Sequence, residues 1–255
     1  MTEIILSKQA LSFYSKLREK NYDTDSYNAM KSIYHDEIKK KFGELLEHLS
    51  EMLSVAIPQL DFDMDDDLGS PFVHGHAAKY AWGAITRRGR TKHTDLQFYV
   101  AMRFDYLRFG IYTKNEKKTI PIFGKIYRKI MNNNNEFLSL IDNLESEGIF
   151  LTSNITDDES GKPKLMKFNR KYASESIFQD GTFNVMTGIP VAELAEVDIA
   201  PIIMDIFNKL IPIYKFVLNL DWIKPAIFYE MSLVGQAMDV ISHWFWGMAV
   251  THGKI

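Results

Sequence analysis

Between Lys79 and Tyr112 apolar residues recur at every second position, whereas on both sides of that block they recur every three to four. Alternation lays an apolar face on a pleated strand, and the longer period lays an apolar stripe on a helix. A purely helical chain and a purely β chain are both excluded, so the fold class is α+β with its sheet drawn from the middle of the sequence. Three strands are readable: Tyr80 to Thr86, Asp95 to Arg103, and Tyr106 to Thr113. In the second, Leu96, Phe98, Val100 and Met102 share one face, and Gln97, Tyr99, Ala101 and Arg103 the other. Their short connections predict an antiparallel meander.

Helical spacing fills the first fifth. Leu11, Tyr14 and Leu17 share a face, and after a possible cap at Thr24 or Asp25 the period runs from Tyr27 to Met52. Pro58 stops it by pushing Ile57 out of the helical region. After the sheet, helices are predicted over Pro121 to Ile130 and Glu136 to Leu144, with Gly148 as a C-cap and the four asparagines 132–135 as a turn. Further strands are expected at Ile149 to Ser153, Lys164 to Lys171 and Gly181 to Thr187, with a polar loop from Asn154 to Lys162. Asp198 caps a helix whose third position is Pro201 and which Pro212 is expected to bend or end. Pro225 opens a last, very apolar helix. The expected organisation is a helical region over 1–58, an α+β recognition domain over 59–220, and a C-terminal hydrophobic helix over 221–255 that packs on the domain or on a partner.

Composition narrows the function classes. With no cysteine among 255 residues, disulfide frameworks, thiolate metal sites and cysteine nucleophiles are excluded. The start, Met1 to Lys8, carries Glu3 and lacks the pattern of a signal peptide, so no export and a cytoplasmic location are expected. The apolar stretch from Ala226 to Val250 is interrupted by Glu230, Asp239 and His243, which reads as a buried helix rather than a membrane span. The formal net charge is −3, so any attraction to a polyanion must come from a local patch.

Such a patch exists. Arg87, Arg88, Arg90 and Lys92 place four positive charges within six residues at the tip of the first hairpin. Projected into solvent, such a tip would neutralise phosphates of a nucleic-acid backbone. The acidic stretch Asp61, Asp63, Asp65, Asp66 and Asp67 resembles a calcium loop only in spacing: Asp66 stands where glycine is needed, and Phe72 where a bidentate glutamate is needed. It reads as a surface loop. His74 and His76 lie two apart on an extended segment and could share a metal, though no third ligand is recognisable. No serine sits in a nucleophile-elbow sequence.

The run Tyr80-Ala81-Trp82-Gly83-Ala84, the basic turn, Thr94 through Val100, and Leu107 through Tyr112 together resemble the N-terminal recognition region of McrB-like, modification-dependent restriction NTPases. Similar features follow at Thr182 to Val185 and at Leu210 to Tyr214, so the resemblance spans roughly Tyr27 to Val217. It implies a module that binds duplex DNA and inspects bases by extruding a modified cytosine into an aromatic pocket. Tyr80, Trp82, Tyr99 and Tyr112 are then candidates for stacking on the base, and Asp95 and Gln97 for reading its edge. The chain departs from the family in carrying no Gly-x-x-x-x-Gly-Lys-Ser/Thr loop, and the helix from Pro225 is foreign to the pattern.

The expected function is therefore a DNA-binding specificity module of a restriction or antiviral defence system, without a cofactor or catalytic residue of its own. Cleavage would belong to a separate NTPase or nuclease subunit, and the C-terminal helix would serve a homo-oligomer. Two alternatives stand beside this: a metal-dependent hydrolase or nuclease using His74 and His76, and a protein-interaction subunit of a larger assembly.

Overall fold

A computed structural model of the chain describes residues 3–65, 68–114, 120–152 and 181–219. In chain order these form α1 (Lys8–Glu19), α2 (Thr24–Ala29), a π-helical segment (Ile33–Lys39) running into α3 (Lys40–Ala56), and β1 (Phe62–Met64). A small hairpin of β2 (Phe72–Val73) and β3 (His76–Ala77) follows, then β4 (Ala81–Arg87), β5 (Gln97–Met102) and β6 (Tyr106–Lys114). The remainder is α4 (Ile120–Asn132), α5 (Asn134–Ser146), β7 (Phe150–Leu151), β8 (Thr182–Pro190) and α6 (Ile199–Leu218). The main sheet is antiparallel throughout, in the order β1-β4-β5-β6-β8-β7. The fold is α+β, and β4, β5 and β6 are the meander the alternation predicts.

Directly opposed residues of an antiparallel ladder share a face, so the register assigns the two sides of the sheet. Ile85, Phe98, Ile111 and Val185 are aligned on the inner side, as are Gly83, Val100 and Phe109. Against them pack α3 and α6: Phe98 meets Phe207 at 4.9 Å and Tyr214 at 4.7 Å between ring centres. Gly83 lets α3 lie close, since a β-carbon there would fall 2.2 Å from Leu46 Cδ1. The outer side carries Trp82, Ala84 and Thr86 from β4, Gln97, Tyr99 and Ala101 from β5, and Arg108, Gly110 and Tyr112 from β6.

Local chemistry sets the ends of the elements. Ser7 accepts from Ala10 N and Asp23 from Ser26 N, capping α1 and α2. Ile57 leaves the helical region at φ −130° before Pro58, and α3 ends at Ala56. Gly148, at φ 74°, closes α5 by donating to Glu145 O while Ile149 N reaches Leu144 O. Asp198 caps α6 through Ala200 N and also accepts from Ile4 N, tying the N-terminal segment to that helix.

Helices 1–58 and the sheet share one apolar core, within a compact unit spanning Met1–Ile223. Pro212 does not end α6, which runs on to Leu218. Its own position faces solvent, while Leu210, Ile211, Ile213 and Tyr214 around it are buried, so packing outweighs the lost backbone bond. The expected strand at 164–171, the polar loop 154–162, Asp66, Asp67 and the C-terminal helix over 225–250 lie outside the described residues. Among the described residues no helix is long and apolar enough to cross a membrane.

Candidate functional site

The β4–β5 connection is built from two successive turns. Arg90 N donates to Arg87 O across Gly89, whose φ of 75° suits glycine. Thr94 N then donates to Thr91 O while Thr94 Oγ1 accepts from Thr91 N. The basic residues therefore do cluster at a hairpin tip, as expected.

Their partners change its chemistry. Asp95 is fully buried and accepts from Arg87 N at 3.2 Å, from Arg87 Nε at 3.0 Å, and from Arg87 Nη2. That carboxylate raises the Arg87 guanidinium above its ordinary pKa. Arg88 forms a fork on Asp63, Nε to Oδ2 at 2.9 Å and Nη2 to Oδ1 at 3.2 Å, and its Nη1 lies 2.8 Å from Asp61 Oδ2. The hydrogen bonds that Arg88 donates to Asp63 and the charge of Asp61 raise the Arg88 pKa as well. Lys92 N donates to Asp65 Oδ2 at 3.0 Å. Two of the four cations, Arg87 and Arg88, are bound by carboxylates and the Lys92 backbone is held by a further aspartate, so the tip is not the free positive patch that the local sequence predicts. Arg90 is the exposed member with no acidic partner among the described residues.

The residues proposed for base reading are also redistributed. Asp95 is an interior anchor for Arg87 and does not face a ligand. Gln97 is 3% exposed; it accepts from Trp82 Nε1 at 3.4 Å and donates through Nε2 to Lys92 O at 3.1 Å, linking the strand to the tip. Tyr99 is fully buried, and its hydroxyl donates to Asn184 Oδ1 at 3.1 Å, while Asn184 Nδ2 donates to Thr152 Oγ1 at 2.9 Å. Burial holds the Tyr99 hydroxyl well above the ordinary tyrosine range. Asp95, Gln97 and Tyr99 are thus corrected from contact residues to supporting ones.

The aromatic residues do come together. The Trp82 indole lies flat on the Tyr99 ring, 4.2 Å between centres at an interplanar angle of 6°. Tyr112 meets that stack edge-on, 5.3 Å from Trp82 and 6.1 Å from Tyr99. Tyr80, 47% exposed, stands 6.5 Å from Trp82, with the Arg103 guanidinium 6.0 Å from its ring. Trp82 and Tyr112 are half-buried. Asp63 pairs with Thr86, so the acidic strand reaches the same outer side of the sheet as this cluster.

His74 and His76 occupy the β2–β3 hairpin. His74 (φ 51°) and Gly75 (φ 82°) form a two-residue turn with both residues left-handed, and Val73 pairs with His76. Thr24 Oγ1 donates to Gly75 O and holds the turn on α2. Both imidazoles are exposed, and among the described residues no three histidine or carboxylate side chains converge. The histidine pair therefore lacks a gathered coordination sphere there.

Sequence reasoning missed Asp61 and Asp63 as partners of Arg88, and Asn184 and Thr152 as supports for Tyr99. A signal for the first pair was present: Asp61, Asp63 and Asp65 alternate along an extended run, and a basic turn of matching charge follows. No protein-family model matches this chain, and no curated protein matches it at a significant level.

Proposed function

We propose that this chain is a DNA-recognition module of a restriction or antiphage defence system, in which the aromatic outer side of the sheet, rather than an arginine grip, makes the discriminating contact. The observation that carries this reading is Trp82, half-buried and laid flat on a tyrosine that is itself locked from behind by Asn184. A stacking platform backed in this way pays little conformational entropy when a base joins it. The extended segments that carry the family resemblance also support it, since they fall on β4, β5, β6 and β8, four neighbouring strands of one sheet, while Leu210 to Tyr214 falls on α6.

In this reading Tyr80 and Trp82 stack on the base, Tyr112 and Tyr99 brace them, and Arg90 supplies the phosphate contact at the tip. Extruding a base costs a few kcal/mol, and stacking returns about 1–3 kcal/mol per base. Modified cytosine is the base class that the resemblance implies. Cleavage falls to a separate NTPase or nuclease subunit, and the module works in the cytoplasm.

Titration against plain, methylated and hydroxymethylated duplexes tests this. Trp82→Ala should weaken binding by roughly 1–3 kcal/mol, about five- to a hundredfold. Because Arg87 and Arg88 are engaged internally, the log–log salt slope of the parent should be shallow, about −1 to −2 for one or two neutralised phosphates. Absence of binding to all three duplexes at about 50 mM salt would overturn the reading.

A further inference from the structure

The geometry points to an electrostatic latch in which Asp61, Asp63 and Asp65 hold the hairpin tip in a low-affinity state that a nucleic-acid backbone opens by replacing them. This rests on the DNA reading above and adds a mechanism of control to it. The two kinds of ion pair at the tip differ in whether they can open. Asp95 is fully buried beneath Arg87, so that pair is part of the core. Arg88 is 62% exposed, with Asp61 at 56% and Asp63 at 49%, so solvent screens these pairs and competitors reach them.

The acidic strand itself stays in place. Phe62 is buried between Phe98 and Tyr214, and its backbone N–H donates to Ser54 Oγ at 3.1 Å. Arg88 N also donates to Asp61 O, which fixes the tip against β1 whatever its side chain does. Opening is therefore an exchange of side-chain partners that leaves the fold unchanged. Charge density favours that exchange. Alternate positions on a strand set carboxylates about 6.7 Å apart, whereas each DNA strand presents a charge about every 3.4 Å along its axis. A duplex thus offers Arg88 a denser field than the aspartates do.

The test compares the full chain with Asp61→Asn/Asp63→Asn/Asp65→Asn, which keeps acceptor oxygens and removes charge. A labelled plain duplex is titrated from about 50 to about 200 mM salt, where phosphate contacts weaken steeply. The double variant Asp61→Asn/Asp63→Asn, which leaves the Lys92 contact intact, serves if the triple one melts early. The expected result is at least tenfold tighter binding at low salt and a slope steeper by about one, for the Arg88 cation released. Adding Arg88→Ala to the triple variant should cancel most of the gain. If the parent binds DNA and the variant binds no more tightly, the latch is refuted while the functional reading stands. If neither binds at any salt, both fail.

Discussion

Arg87 and Arg88 are neighbours of the same type, yet the fold uses one as a core fastener and the other as a surface contact. The difference is the burial of the carboxylate each meets, which no local pattern in the sequence encodes. Asp95→Ala should leave the Arg87 guanidinium, 27% exposed, facing an empty acceptor site. Breaking such a pair from one side costs about 3–5 kcal/mol, and this partly exposed case belongs near the lower figure. Urea unfolding should show the midpoint falling with an unchanged slope. A base-reading aspartate would behave oppositely, losing DNA affinity at full stability. The site was legible as a set of residue types but not as roles. Trp82 and Tyr80 were found because aromatics on an alternating segment must gather on one side, whereas the role of Tyr99 depends on Asn184 and Thr152, far away in sequence.

Among elements, the strands were the most readable, because alternation fixes both their type and their faces. Register was not, and two glycines show why. A β-carbon on Gly110 would fall 2.1 Å from Val185 O and 2.7 Å from Met186 Cα, both backbone atoms of β8. On Gly83 it would meet only the end of the Leu46 side chain. Gly110→Ala should therefore force two ladder strands apart and cost about 3 kcal/mol, whereas Gly83→Ala, relieved by rotation of Leu46, should cost about 1 kcal/mol. Equal losses in chemical denaturation would mean that the β6–β8 spacing relaxes freely. Helix ends were legible at Gly148, Asp198 and Pro58, whereas the cap expected at Thr24 or Asp25 is Asp23. Pro212 does not stop α6 because a break signal is local, while the buried residues on either side of it answer to the whole core.

Across the molecule, the buried tyrosines couple the core to pH. Tyr14, Tyr99 and Tyr214 belong to different elements, and burial raises each hydroxyl above the ordinary value. In the unfolded chain all three lose their protons near pH 10, while in the native state they stay neutral. Their contribution is thus fully present below about pH 10 and is lost as pH rises beyond it, at about 1.4 kcal/mol per pH unit for each tyrosine. Together they remove about 4 kcal/mol per unit, against a total of about 5–15 kcal/mol for a typical domain. Cooperative alkaline unfolding is therefore expected between about pH 11 and 13. Tyr214→Phe is the sharpest probe, because its hydroxyl makes only a long contact of 3.5 Å to Leu96 O and its loss should cost little at neutral pH. Denaturant midpoints measured at intervals above pH 10 should decline about a third less steeply in that variant. An unchanged decline would show that Tyr214 reaches solvent and ionises in the folded state, which would loosen the packing of α6 on Phe98 that supports the whole inner side of the sheet.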